Sequence, residues 1–296
     1  MKWFSILQLM RPANIVTSIA DILSGIAIAG FLVPEVWTQE IITNILLLVV
    51  STSGLYAGGI VFNDVFDIKK DRISRPERVI PSGRVTVREA KIVGLSLFSI
   101  GISAALLVSG LSGILAIAIA LLALLYDKFA KHHKVLGPLN MGICRGVNLI
   151  LGMSIHSQLT ANYWLIGIIP IIFIAAITLT AQKETEGKNK AAIGFAMLLD
   201  LMIVIGFVLM SLYLELSLLK TSVFLTIWYA MNAISKAKAL VQNNPKFIQK
   251  AVKMGIISLI PLNASYVAGF SSIFMAVLVM GLLPLSLFLS KKFPVT

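Results

Sequence analysis

The run IITNILLLVVSTSGLYAGGIVF, residues 41 to 62, passes directly into Asn63-Asp64-Val65-Phe66-Asp67-Ile68-Lys69-Lys70-Asp71-Arg72, and this junction decides the fold. The uncharged run makes a helix of roughly 33 Å, enough to cross the hydrocarbon core of a bilayer. At about 100° per residue, Asn63, Asp64, Asp67 and Asp71 fall at about 0°, 100°, 40° and 80°, a little over a quarter of the helix circumference. They form one acidic face. Lys69 and Arg72 point to the other side of the same turn, so the acids are not answered by an i,i+4 ladder of ion pairs. Convergent carboxylates repel one another unless a cation sits between them, and an all-oxygen set suits Mg²⁺ that keeps some waters and also binds phosphates. A solvated acidic helix end is the plainer alternative, but these acids adjoin lipid-facing sequence.

The rest of the chain repeats the apolar half of that pattern. Of 296 residues, 58% are hydrophobic and only 13% charged, far from the balance of a soluble globular domain. Apolar runs at 14–33, 41–62, 90–109, 111–126, 139–155, 163–181, 191–213 and 218–235 each read as a membrane-crossing helix. A final apolar tract, 252–290, is too long for one span; it is either two helices broken near Gly269, Ser271 and Ser272, or a re-entrant piece plus a ninth span. The expected fold class is therefore all-α, a polytopic membrane helix bundle of nine or ten transmembrane helices with a cytoplasmic cap of loops. Every loop is short except 63–89, so one membrane-embedded domain over 1–296 is expected, with no appended soluble domain. No A-x-A cleavage pattern follows the first apolar run, so no removable signal peptide is expected. The single cysteine, Cys144, excludes an intramolecular disulfide and any cysteine-cluster metal site.

Charge placement gives the orientation. Lys69, Lys70, Arg72, Arg75, Arg78, Arg84, Arg88 and Lys91 follow the second span; Lys128, Lys131 and Lys134 follow the fourth. Further lysines follow the sixth and eighth spans, whereas the loops at 34–40, 110 and 156–162 have no Lys or Arg, and Lys220 alone breaks the pattern. By the positive-inside rule the basic loops and the N-terminus are cytoplasmic, which places the acidic face on the cytoplasmic side of an inner cell membrane. The net charge of +12 is thus mostly topological and is no nucleic-acid footprint. A basic rim also favours anionic headgroups and a polyanionic substrate.

Three loops on that rim carry the candidate chemistry. The first continues as Arg75-Pro76-Glu77-Arg78-Val79-Ile80-Pro81-Ser82-Gly83-Arg84, in which guanidinium groups, matched to phosphate oxygens, are set in a turn stiffened by two prolines. The second, Tyr126-Asp127-Lys128-Phe129-Ala130-Lys131, offers Tyr126, Lys128 and Lys131 to a phosphate from another direction; the plainer alternative is that the lysines mark only the inner membrane face. His132 and His133 lie about 100° apart on a helix with no further ligands at suitable spacing, and read as surface histidines.

The first acidic motif with the Arg75–Arg84 loop resembles the signature of the UbiA superfamily of intramembrane prenyltransferases. Similar strings elsewhere are Arg11-Pro12-Ala13-Asn14, the Tyr126–Lys131 loop, Leu136-Gly137-Pro138-Leu139-Asn140 and Gly142-Ile143-Cys144-Arg145-Gly146. That resemblance implies a helical bundle capping a lipid-facing cavity, with two aspartate-rich motifs holding Mg²⁺ on the diphosphate of a polyprenyl donor. Departure of diphosphate leaves an allylic cation that an aromatic or other small acceptor attacks. The metal set would be Asn63, Asp64, Asp67, Asp71 and Glu184, with Lys131 and Lys188 acting beside the acids. Asn14, Asn63, Arg72, Arg75, Arg78, Tyr126, Lys128 and Arg145 would bind substrate, and Asn14 would line the acceptor pocket.

The second motif departs from the family. Where relatives carry D-x-x-x-D, this chain has Glu184 and Lys188. A protonated lysine cannot bind a metal ion, so the ammonium of Lys188 would stand in for part of a second metal, or catalysis has been altered or lost in favour of a binding or assembly role. That departure and the string Leu259–Ala264 are similar to a less common branch, the EboC-like proteins of bacterial biosynthetic clusters.

A prenyl diphosphate joins a lipid tail to a polyanion, so its site needs apolar walls, a hard cation and fixed positive charge at the water boundary. Tyr56, Phe62, Phe66, Tyr126 and Phe129 are candidates to shield the allylic cation by cation–π contact, although aromatics at such positions are usually packing. Asn14, Asp21, Arg145, Asn148 and Asp200 lie inside spans, where polar groups are costly without partners. Arg145 either orients an acceptor or pairs with Asp21 or Asp200, and pairing is favoured for Asp200. A small-solute transporter shares the intramembrane charges and prolines, but it leaves the polar rim unexplained. The CDP-alcohol phosphotransferases also place spaced aspartates on membrane helices, but their D-G and A-R strings are missing.

Overall fold

The computed structural model describes residues 2–131, 133, 135–182 and 187–293. Among them every regular element is helical, because a chain this apolar must satisfy its backbone within each segment. A short α1 (Lys2–Met10) precedes α2 (Pro12–Ile28). Next come α3 (Gln39–Phe66), α4 (Ile68–Ser74), α5 (Val87–Val108) and α6 (Gly110–Leu125), which runs into a π-helical turn, Tyr126–Ala130. The remainder is α7 (Leu136–Met153), α8 (Ser157–Tyr163), α9 (Ile168–Ala181), α10 (Lys190–Tyr213), α11 (Leu218–Gln242), α12 (Pro245–Phe270), α13 (Ile273–Met280) and α14 (Leu282–Lys292).

Local sequence sets the boundaries. Thr38 caps α3, and Thr86 with Glu89 forms a capping box on α5. Ser109 turns α5 into α6 with no intervening loop, and Asn244 caps α12 ahead of Pro245. The final apolar tract divides at Ser271 and Ser272, the first of the two expected arrangements.

Seven helices are long and apolar enough to cross a membrane: α3, α5, α6 with its π turn, α8 through α9, α10, α12, and α13 through α14. Three of the expected spans, now α2, α7 and α11, fall outside that group. Helix α2 is apolar but only 17 residues long, and all three helices carry polar groups among their buried residues: Asn14, Thr17, Ser18 and Asp21 on α2, Asn140, Arg145 and Asn148 on α7, and Asn232, Ser235 and Lys236 on α11. Polar groups point to protein rather than lipid, as membrane burial requires.

Helix α12 is the most buried apolar helix and packs against α11, α2, α13 and α9. Close contacts depend on glycine. A Cβ at Gly25 of α2 would stand 2.2 Å from the Leu149 carbonyl oxygen, and one at Gly152 of α7 2.4 Å from that of Ile22. Small residues here let the two backbones touch, which is how helices associate in lipid.

In the C-terminal half the charged pair Asp200 and Lys236 joins α10 to α11, with Nζ–O distances of 2.8 and 2.6 Å. Both are almost fully buried, and the ammonium also lies 5.7 Å from the Phe173 ring centre. This settles the partner of Asp200. Lys236→Met, which leaves a lone buried carboxylate, is expected to cost about 3 kcal/mol. Adding Asp200→Leu should recover most of that loss, measured by denaturant unfolding of the purified protein.

At one end of the bundle a smaller core, Leu9, Val61, Val65, Val79, Ile80, Val85 and Ala90, joins α1, the end of α3, the loop after α4 and the start of α5. Arg84 fastens that loop: its guanidinium donates to the Gln8 Oε1 at 2.7 Å, the Glu77 carbonyl at 2.8 Å and the Ser82 hydroxyl at 3.0 Å. Arg84→Ala should therefore speed amide hydrogen exchange across 76–86 while leaving helix content unchanged. Unaltered exchange there would show that the small core alone holds the loop.

Candidate active site

The helix carrying the first acidic motif is interrupted at Asp67, where α3 gives way to α4, and two backbone hydrogen bonds span the break. Asp67 N–H donates to the Asn63 carbonyl at 3.0 Å, and Asp71 N–H to the Asp67 carbonyl at 2.9 Å. The acids consequently stay together. Asp64 and Asp71 are buried, with side chains 9% and 5% exposed, and Asp67 is partly exposed.

One nitrogen of Arg78 serves two of them, donating to Asp71 Oδ2 at 2.8 Å and to Asp64 Oδ1 at 3.4 Å. Arg11 donates to the same Asp64 oxygen at 2.7 Å, and Lys131 pairs with Asp67. Arg11 reaches in from the α1–α2 junction, where its own backbone is left-handed, φ 49°. Burial pushes its guanidinium below the usual arginine range, and the Asp64 carboxylate opposes that shift.

A fourth carboxylate completes the cluster. Asn63 donates to the buried Asp127 at 2.5 Å. The π turn makes this contact: Lys131 N–H donates to the Tyr126 carbonyl five residues back. The widened turn lets both Asp127 and Lys131 face the first motif. Four acids, Asp64, Asp67, Asp71 and Asp127, thus meet three bases, Arg11, Arg78 and Lys131.

This differs from the sequence expectation in one respect. The neighbouring Lys69 and Arg72 do not answer the acids, as expected, but bases distant in sequence do. Among the described residues no three acid, histidine or cysteine side chains stand ready as a metal-ligand set.

Other expected residues lie further out. Arg72 and Lys128 are exposed, the latter 4.9 Å from the Phe129 ring centre. Arg75 is partly buried and partnered. Tyr126 opens the π turn, half-buried. Phe62 stacks on Phe98, a packing role, while Phe66 and Phe129 are exposed. His133 accepts from the Val135 and Leu136 amides, a structural duty at the start of α7; His132 lies outside the described residues. Glu184 also lies outside them. Lys188 is exposed with a left-handed backbone, φ 59°, beside Asn189, whose amide donates to the carbonyls of Leu179, Thr180 and Gln182 at the end of α9.

Deeper in the bundle a second polar network links α2, α3, α7 and α12. Arg145 forms an ion pair with Asp21 at 2.6 Å and donates to Thr17 Oγ1 at 2.7 Å, with the Tyr56 ring 5.2 Å away. Asp21 also accepts from Asn148 at 3.1 Å and Asn263 at 2.7 Å, and Thr52 donates to Asn148 at 2.7 Å. Asp21, not Asp200, is therefore the partner of Arg145, and Asn14 sits buried above this network on α2. Two apolar grooves, of about 310 and 460 Å³, are lined by other residues: one by Trp37, Leu23 and Met275, the other between α11 and α12.

Arg11 and Asp127 carry no role in the sequence reading. Their signals were faint: a basic residue before a proline ahead of the first apolar run, and an acid between Tyr126 and Lys128.

Known proteins share this architecture. Digeranylgeranylglyceryl phosphate synthase of Saccharolobus solfataricus is 32% identical over 188 residues, 62% of this chain and 64% of that one. The synthase of Sulfolobus acidocaldarius is 35% identical over 194 residues, 62% and 65% of the two chains. The chain spans less than two thirds of the length of these relatives. Among solved structures, one of a digeranylgeranylglyceryl phosphate synthase in membranes aligns with TM-score 0.68 at 23% identity, covering 91% of this chain and 98% of that one. A UbiA homologue from Archaeoglobus fulgidus bound to GPP and Mg²⁺ aligns with TM-score 0.63 at 14% identity, over 94% and 99%. At such identities these likenesses establish the fold alone. The sequence model of the UbiA prenyltransferase family matches residues 22–254, most of the sequence, and the chain belongs to that family.

Proposed function

We propose that this protein is a Mg²⁺-dependent prenyltransferase of the membrane, moving a prenyl group from a prenyl diphosphate onto a lipid-soluble acceptor that bears a glyceryl phosphate. The acid–base cluster at the polar end of α3 carries the reading. It sets four carboxylates and three fixed cations at one rim of an apolar bundle, where a diphosphate on a lipid tail would lie. The acceptor class follows the names of the relatives from Saccharolobus and Sulfolobus.

The donor atoms suit a hard ion. Asp64, Asp67, Asp71 and the Asn63 amide oxygen would hold it, an all-oxygen set at the boundary with water. Bound there, the ion supplies positive charge against the leaving diphosphate oxygens. Arg78, Arg11 and Lys131 act as its stand-ins: each now neutralises a carboxylate, and each turns to diphosphate oxygens when donor and metal arrive together. The allylic C–O bond of the donor then breaks, diphosphate departs, and the acceptor hydroxyl oxygen bonds to that carbon and gives up its proton to the released diphosphate. Tyr56 lies between cluster and deeper network, placed to face the allylic carbon. Lys188, four residues after Glu184 in sequence, would supply fixed charge in place of a second ion.

The chain makes ten passes as one embedded domain: α2, α3, α5, α6, α7, α9, α10, α11, α12, and α13 with α14. The basic loops and the acid cluster are cytoplasmic.

Reconstituted protein given geranylgeranyl diphosphate, Mg²⁺ and a prenylated glyceryl phosphate should release diphosphate and form the doubly prenylated lipid, read by mass spectrometry. Asp67→Asn should lower turnover about a hundredfold or more with the fold retained. Undiminished turnover in that variant would remove the assigned site, and transfer only to an aromatic acceptor would overturn the acceptor class. An activity-independent readout is thermal unfolding of Arg78→Gln. Here Asp64 and Asp71 lose their shared base, so Tm should fall, and Mg²⁺ should raise it more than in the wild type.

A further inference from the structure

The last acidic side chain in the sequence is Glu215. Residues 216 to 296 contain eight lysines and no Asp or Glu. One of the eight, Lys236, is spent on Asp200 inside the bundle. Two others, Lys238 on α11 and Lys250 on α12, line the apolar groove of about 460 Å³ between those helices. Both are exposed, and neither forms an ion pair among the described residues.

The groove has the form of a lipid site. Its walls include Ile227, Met231, Ile234, Phe247 and Met254. Both lysines lie at the same end, near the tight connection from Gln242 to Pro245. From Lys238 back to Ile227 a helix rises roughly 16 Å, about the depth of one leaflet of the hydrocarbon core. The groove is therefore long enough for one acyl chain, with the two lysines at one end. A zwitterionic headgroup brings its own cation to these two ammonium groups, whereas a net-anionic headgroup adds none and is favoured by them. None of the groove residues belongs to the acid cluster.

We propose that the α11–α12 groove binds an anionic glycerophospholipid of the surrounding leaflet. One acyl chain lies along Met231, Ile234 and Met254, and the phosphate sits between Lys238 and Lys250. The bound lipid would cover an apolar seam beside α11, the helix whose Lys236 pairs with Asp200 of α10.

The test is native mass spectrometry of the full chain in detergent with added phosphatidylglycerol or phosphatidylcholine. Wild-type protein should retain phosphatidylglycerol preferentially. Lys238→Gln with Lys250→Gln should weaken that retention on the order of tenfold without affecting phosphatidylcholine. Met231→Trp, which fills the groove and leaves both charges in place, should weaken retention of both lipids, and the double Arg variant should keep the wild-type preference. These last two variants keep the charge and decide the matter should the double Gln protein fail to fold. Equal retention of the two lipids by wild type, or phosphatidylglycerol retention indifferent to all three variants, would overturn the proposal. So would one-for-one displacement of the lipid by a prenyl diphosphate, which would make the groove a substrate site.

Discussion

Arg78 holds Asp64 and Asp71 on a single nitrogen, and the arrangement of the polar rim depends on that sharing. Buried carboxylates near a bilayer must be answered by charge or by protons. Here the answering bases come from three separate segments: Arg11 from the α1–α2 junction, Arg78 from the loop after α4 and Lys131 from the end of the π turn. Each ion pair thus fixes a segment to the end of α3. The chemistry that would grip a polyanion is the same chemistry that lets the rim fold without one.

Further into the bundle, the buried charges fall in two places and are handled by direct pairing. Asp21, Arg145, Asn148 and Asn263 bond one another across α2, α7 and α12, while Asp200 and Lys236 join α10 and α11. Removing one member of such a pair costs more than the pair contributes, because the survivor stays buried and charged. Hence α2, α7 and α11 carry buried polar groups and still belong in the bundle: those groups look at protein. Beneath the rim cluster, the Arg145–Tyr56 contact joins this deeper network to α3.

Much of this was legible in the sequence, for reasons that differ by residue. Helix positions followed from apolar runs, and the acidic face from 3.6-residue spacing, which survives the break at Asp67 because the Asp67–Asn63 and Asp71–Asp67 backbone bonds span it. The division of the last tract at Ser271 and Ser272 was foreseen as one of two arrangements. Less legible were contacts made over long sequence separations. Nothing local reveals that Arg11 reaches Asp64, 53 residues away. Asp127 and Lys131 enter through a π turn, whose extra residue defeats helical-wheel reasoning and turns Lys128 outward. Arg145 had two candidate partners in Asp21 and Asp200, and only the packing of α2 on α7 separates them.

The central physical claim is that the rim bases occupy places that a metal ion and a diphosphate take over. A structure of the protein in a lipid bilayer with Mn²⁺ in place of Mg²⁺ and a non-reactive prenyl diphosphate analogue tests this directly, since Mn²⁺ is located by anomalous scattering. The expected result is an ion between Asp64 and Asp71 at about 2.1 to 2.2 Å from their oxygens, with Arg78 and Lys131 moved onto the diphosphate. An unmoved Arg78 between the two acids, with analogue and ion bound elsewhere, would contradict it.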